Sequence, residues 1–242
     1  DNIYDPVDTK LVAKMHKAIT IIQLKLEGQL IERHPEWGMG KRDIFRMVDF
    51  DRGTVTIDGS EYELLDKNFP TVCRKDPLSL TDAENELMSV LENSFMHSER
   101  LNSHIRFLYS KGSMYKTING NLLFHGCIPL DENGQLQSVN IAGTDYSGKT
   151  LLDKLDEIAN KAYFMQPGEE KDYAADYMWY LWSGARSPLY GKDKMAFFER
   201  YFLDDKKLHK ENYNAYYHFS EQAEVCGWIL EMFGLDPERG HI

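Results

Sequence analysis

Apolar residues recur at helical spacing through Leu11, Met15, Ile19, Ile22, Leu26 and Leu30, which predicts one long amphipathic helix reaching about Arg33. Asp5-Pro6-Val7-Asp8 reads as its start, with Asp5 as N-cap and Pro6 in the first turn, where its missing N–H costs no hydrogen bond. Between Asp49 and Leu65 the period drops to two: Thr-Val-Thr-Ile, a turn at Asp58-Gly59, then Glu-Tyr-Glu-Leu, the signature of a β-hairpin. Helical spacing returns after Leu80, capped by Thr81 or Asp82 and carried by Leu87, Leu91, Phe95, Leu101, Ile105 and Leu108 until Lys111-Gly112 stops it. A second hairpin follows between Met114 and Leu130, turning on Asn119-Gly120, and it ends on His125. Gly126 lets the backbone turn closely past whatever His125 binds, and Pro129 forbids further central pairing. A further strand pair is predicted at 136–141 and 144–146, then helices at about 149–163, 172–182, 194–202 and 221–233, with loops at 166–171, 183–192 and 204–216.

Composition narrows what these elements can do. The chain has 242 residues, 42% of them hydrophobic and 12% aromatic, enough for one large core or two small ones. A formal net charge of −11 disfavours a nucleic-acid groove or an anionic membrane surface, so an anionic ligand must be held by a local pocket. Cys73, Cys127 and Cys226 are odd in number and widely spaced, indicating neither a disulfide framework nor a CxxC zinc site, and a reducing cytoplasm suits them best. No apolar run approaches the roughly 20 residues of a membrane span. The first residue is not a methionine, and the chain is expected to be an internal piece of something longer.

Two apparent motifs fail on physical grounds. Gly143-Thr-Asp-Tyr-Ser-Gly148-Lys149-Thr150 satisfies the phosphate-loop pattern. The strand before it alternates polar and apolar residues, whereas a phosphate loop follows a buried parallel strand, and Asp145 would add negative charge beside the phosphates. A nucleotide-binding protein built on Gly143–Thr150 therefore stands as an alternative to be tested at Lys149, and a non-catalytic helical interaction module is the other alternative. Asp49-Phe50-Asp51-Arg52-Gly53 lacks the first aspartate of the Asp-x-x-Asp-Arg-Gly element of binuclear metallophosphatases, because Val48 stands in its place, and reads as a turn into the Thr54 strand. His97 and His104 would lie on one helix face two turns apart, too far for a shared metal. Cys127, two residues from His125, is not read as a thiol nucleophile, because Gly126 breaks the strand that would point both side chains the same way, and His125 is read as either a satisfied core histidine or an imidazole facing a metal or phosphate.

Several strings taken together resemble a known family. They are Ile105–Tyr115, Asn119-Gly-Asn-Leu-Leu-Phe-His-Gly-Cys-Ile-Pro-Leu130, Tyr180-Leu-Trp-Ser-Gly184, Ser187-Pro-Leu-Tyr-Gly-Lys-Asp-Lys-Met195 and Glu199-Arg-Tyr-Phe202, with the opening Asp1–Asp5 and Met15–Ala18. These are similar to the bacterial class III fructose-1,6-bisphosphatases, which belong to the calcineurin-like metallophosphatases, and the resemblance covers nearly the whole chain. It implies an α+β chain: a mostly helical insertion over 1–112 carrying a small hairpin, then over 113–242 part of an α/β/β/α metallophosphatase sandwich. It also implies hydrolysis of the 1-phosphate of fructose 1,6-bisphosphate to fructose 6-phosphate in gluconeogenesis, with His125 as a ligand to Mn2+. Two such ions some 3.5–4 Å apart polarise a phosphoryl group and acidify a bridging water. Regulation by nucleotides and glycolytic acids is implied too.

The chain departs from that family in what it lacks. The Asp-x-His, Asp-x-x-Asp-Arg-Gly and Asn-His-[Asp/Glu] elements, which supply most ligands and the catalytic histidine, do not occur here and are expected upstream of Asp1. A last histidine ligand is expected just beyond Ile242, and His241 is not that residue. No catalytic residue is assigned within the chain, which by itself is expected to be inactive. Arg106, Lys111, Arg186, Lys192 and Lys194 are the basic residues nearest the matching strings and the candidates for a sugar-phosphate pocket. Neither nucleic acid nor membrane is an expected partner, and self-association as a homo-oligomer is left open.

Overall fold

The computed structural model describes residues 8–242. In chain order the elements are α1 (Thr9–Arg33), β1 (Val48–Asp49), β2 (Thr54–Ile57), β3 (Ser60–Glu63), α2 (Asp82–Met96), α3 (Glu99–Lys111), β4 (Tyr115–Ile118) and β5 (Asn121–Phe124). Then come β6 (Val139–Ile141), β7 (Thr144–Tyr146), α4 (Gly148–Phe164), α5 (Glu169–Ser183), α6 (Phe197–Phe202), α7 (Tyr216–Phe219) and α8 (Ala223–Met232). The strands form three separate antiparallel sheets, ordered β1-β2-β3, β4-β5 and β6-β7, so the α+β class holds. No α/β/β/α layering is built by the described residues.

The chain divides into two compact units. One contains the residues up to His97 together with Phe197–His209, and the other contains Ser98–Ala196 with Lys210–Ile242. The first crossing between the units falls between α2 and α3. The reason is Ser98. Its hydroxyl accepts the Leu101 N–H and starts a new helix, while His97 ends the previous one. His97 and His104 are therefore on different helices and not on one face, as the continuous periodicity had suggested.

In the first unit, the start of α1 read at Asp5 and Pro6 lies outside the described residues, and Asp8 caps Thr9–Arg33 by accepting from the Lys10 and Leu11 N–H groups. The expected stripe of α1 is buried only in its second half: Ile22 is buried and Leu26 and Leu30 are half-buried, with Ile21, Leu24 and Ile31 also in the core, whereas Leu11, Met15 and Ile19 are exposed. Ile21 and Leu24 pack with Ile44, Phe45, Val55, Phe69, Leu78, Phe198 and Phe202. The fully buried Lys25 is neutralised by Glu84 Oε2 at 2.7 Å and donates to the Thr71 carbonyl at 2.7 Å. That bond fastens α1 to the first turn of α2, where Thr81 and Glu84 form a capping box. Asp58 and Gly59 take φ of 46° and 80°, the twisted turn that the β2–β3 hairpin requires.

In the second unit, α4 and α5 pack as an antiparallel pair, burying Leu151, Leu152, Leu155 and Ile158 on one side and Ala174, Tyr177, Tyr180 and Leu181 on the other. A second core joins Leu122, Cys127, Ile128 and Leu130 to Leu152, Tyr216, Val225, Ile229, Leu230 and Phe233. The β4–β5 hairpin lies on this core.

Candidate metal-ligand loop

Asn119 and Gly120 adopt φ of 52° and 78°, and Tyr115↔Phe124 through Ile118↔Asn121 then pair in register without a bulge. Alternation along β5 buries Leu122 in the core and leaves Leu123, 53% exposed, on the open face with Ile118, 56% exposed. His125 follows the last paired residue and is exposed, so the reading of a satisfied core histidine does not hold.

The loop beyond His125 is held from below. Gly126 has φ +82°, and a Cβ built on it would stand 2.1 Å from the Pro188 carbonyl oxygen and 3.0 Å from that of Leu189. The Cys127 N–H donates to the same Pro188 oxygen at 2.8 Å. That turn is itself locked by Ser187, which is 1% exposed. The Ser187 hydroxyl donates to the Leu181 carbonyl at 2.5 Å and accepts the Leu189 and Tyr190 N–H groups at 3.2 and 3.4 Å. The Leu130 N–H finds Asn214 Oδ1 at 3.0 Å. The chain end completes the support: His241 N–H donates to the Gly120 carbonyl, Leu122 N–H to the His241 carbonyl, and His241 lies parallel to Asn121.

The other candidates are placed as follows. Lys192 pairs with Glu211 at 2.8 Å, and the second Glu211 oxygen accepts the Ala196 N–H at 3.0 Å. Arg186 is exposed and donates to the Ser138 carbonyl at 3.2 Å. The Lys194 carbonyl accepts the Tyr190 hydroxyl at 2.8 Å. Arg106 and Lys111 are exposed on α3, which is held by Tyr109 stacking on Tyr163 at the far end of α4. Lys192 and Lys194 thus follow directly from the turn beneath His125, whereas Arg106 and Lys111 lie on α3, the helix that leads into β4.

The remaining motif residues lose their chemical readings. Thr144–Tyr146 is a strand of the β6–β7 hairpin, so no loop of amides surrounds a phosphate, and Lys149 pairs with Asp153 at 2.7 Å. Asp49 Oδ1 accepts the Asp51 and Arg52 N–H groups, and Gly53 takes φ +69°, making the turn expected there. Burial pushes the Cys127 thiol up to about 12, which leaves it protonated and inert. Ser187, Asn214 and Glu211 were not foreseen from the sequence. The Ser-Pro step marks a turn for Ser187, but Asn214 and Glu211 act across long separations that leave no local signal.

Among the described residues no group of three His, Cys, Asp or Glu side chains could hold a metal ion, so His125 offers one donor and not a complete centre. Fold and loop together define an α+β chain that presents a single histidine from the end of a rigid hairpin. The sequence profile described as Firmicute fructose-1,6-bisphosphatase matches residues 1–242, and the chain belongs to that family. Its relatives include proteins named fructose-1,6-bisphosphatase class 3 from Clostridium tetani, 51% identical over 100% of this chain and 37% of that protein. Those of Clostridium acetobutylicum and Bacteroides fragilis are each 49% identical over 100% of this chain, and over 36% and 37% of their own lengths. The chain therefore spans a little over a third of these relatives. No solved structure matches it.

Proposed function

We propose that this chain is part of a phosphoric monoester hydrolase that removes the 1-phosphate of fructose 1,6-bisphosphate to give fructose 6-phosphate, in gluconeogenesis and in the cytoplasm. The observation that carries the reading is the exposed His125 at the end of β5, backed by a turn that no other residue at 126 would permit. On this reading His125 is one ligand of a Mn2+ site whose other donors come from outside the described residues. Family membership and the class 3 names of the relatives support it.

Two features fit a metallophosphatase sandwich in the whole protein. The apolar side chains of Ile118 and Leu123 stand on an open sheet face, as residues do when a second sheet covers them. The parallel pairing of His241 with Asn121 would bring a strand continuing in that register alongside His125. The assignment of 1–112 as an insertion and 113–242 as core rests on the same family reading. No helix among the described residues is long and apolar enough to cross a membrane.

The test is His125→Ala in the full-length protein. Turnover of fructose 1,6-bisphosphate should fall by at least about tenfold, and the Mn2+ concentration giving half activity should rise. Full activity across the whole Mn2+ titration would rule out a ligand role.

A further inference from the structure

Beside the His125 loop lies a cluster of aromatic rings that the proposed reaction has not used. Lys192 follows Leu189 by three residues, so their Cα atoms are at most about 11 Å apart, and the Leu189 carbonyl lies against Gly126. The Lys192 ammonium lies 5.8 Å from the centre of the Tyr190 ring and 5.3 Å from that of Tyr213. Tyr213 in turn meets Tyr217 edge to face at 5.1 Å. Gly191 lets the edge of the Tyr217 ring rest on the backbone, since a Cβ there would stand 2.8 Å from the Tyr217 hydroxyl.

The charge balance says what this surface can recognise. Lys192 is already paired with Glu211, whose side chain is 10% exposed, so the cluster presents no surplus positive charge to a phosphate. The Tyr190 hydroxyl is committed to the Lys194 carbonyl. Among the described residues the hydroxyls of Tyr213 and Tyr217 make no hydrogen bond, and the two residues are 66% and 38% exposed. Open tyrosine faces with unused hydroxyls, held beside a neutral ion pair, suit an uncharged ligand with C–H faces and many hydroxyl groups.

We infer that Tyr213 and Tyr217 form the sugar-recognition face of the site, contacting the hydroxyl-bearing carbons of a phosphorylated sugar while Lys192 and Glu211 hold the rings in place. This deepens the proposed function and rests on it. It assigns Lys192 to positioning the tyrosines and not to binding phosphate.

The experiment uses the full-length protein and two substrates, fructose 1,6-bisphosphate and p-nitrophenyl phosphate, which has no sugar. In the double variant Tyr213→Ala with Tyr217→Phe, KM for fructose 1,6-bisphosphate should rise about tenfold with kcat held within about twofold, and kcat/KM for p-nitrophenyl phosphate should not change. Unchanged kinetics on the sugar substrate, or an equal loss on both substrates, overturns the inference. If the double variant melts well below wild type, Tyr217→Phe alone decides, because it removes one oxygen and keeps the ring: KM for the sugar substrate rises, or the inference fails. Failure of the functional reading shows separately, as no turnover of fructose 1,6-bisphosphate by the wild-type protein, and it removes this inference with it.

Discussion

Gly126→Ala is the substitution whose consequence the structure determines most fully. At φ +82° an L-residue carries a left-handed strain of about 1–2 kcal/mol. Strain is only part of the cost. The new methyl would stand 2.1 Å from the Pro188 oxygen, so the turn must retreat by over an ångström, and the Cys127 N–H···O bond at 2.8 Å goes with it. Losing that bond adds about 1 kcal/mol, for a total near 3 kcal/mol, a large share of the ~5–15 kcal/mol that holds a domain folded. Gly143→Ala is the matched control. Its φ is +84°, but a Cβ there meets nothing within 4 Å, so it carries the strain alone. Urea unfolding of both variants, followed by circular dichroism, should show Gly126→Ala less stable than Gly143→Ala by at least about 1 kcal/mol. Equal stabilities would refute the close approach of residues 126 and 188. In the full-length protein Gly126→Ala should also reproduce part of the His125→Ala defect in Mn2+ requirement, because the displaced turn no longer supports the histidine.

Other perturbations probe separate parts of the molecule. Burial first, and then the neighbouring Glu32, raise the Asp43 carboxyl above its ordinary range, so the folded chain holds this proton more tightly than the unfolded one and loses stability as pH rises through that window. Asp43→Asn should therefore be more stable than wild type at pH 7, with the advantage vanishing below about pH 4 in urea titrations, and a pH-independent difference would count against it. Backbone N–H groups of Asp76 and Lys75 lower the exposed Cys73 thiol below 9.0, whereas Cys127 is buried, so iodoacetamide at pH 8 should label Cys73 and spare Cys127. Mass spectrometry showing Cys127 labelled in folded protein would contradict that burial. ATP and GTP should leave the melting temperature unchanged and Lys149→Ala should be nearly silent, and a saturable nucleotide shift lost in that variant would revive the phosphate-loop reading.

Turn chemistry and helix caps act within a few residues, which is why Asn119-Gly120, Asp58-Gly59 and the Thr81 capping box could be read from the sequence alone. So could the position of His125 at a strand end, since it follows from one turn and one register. The face that α1 buries could not. Its periodicity marks Leu11, Met15, Ile19, Ile22, Leu26 and Leu30 alike, but the first three are exposed, and the core takes Ile21 and Leu24 beside Ile22 because Phe45, Leu78 and Phe198 meet them there. The division between α2 and α3 was equally hidden, because Ser98 inside an unbroken apolar period reads as an ordinary helical residue. What supports His125 is wholly tertiary. Gly126 is required by Pro188, Leu130 is satisfied by Asn214, and Lys192 is held by Glu211 and Tyr213, each partner lying many residues away. Local sequence specifies backbone turns because their energetics are local, whereas close approaches and ion pairs depend on which distant segments fold against one another.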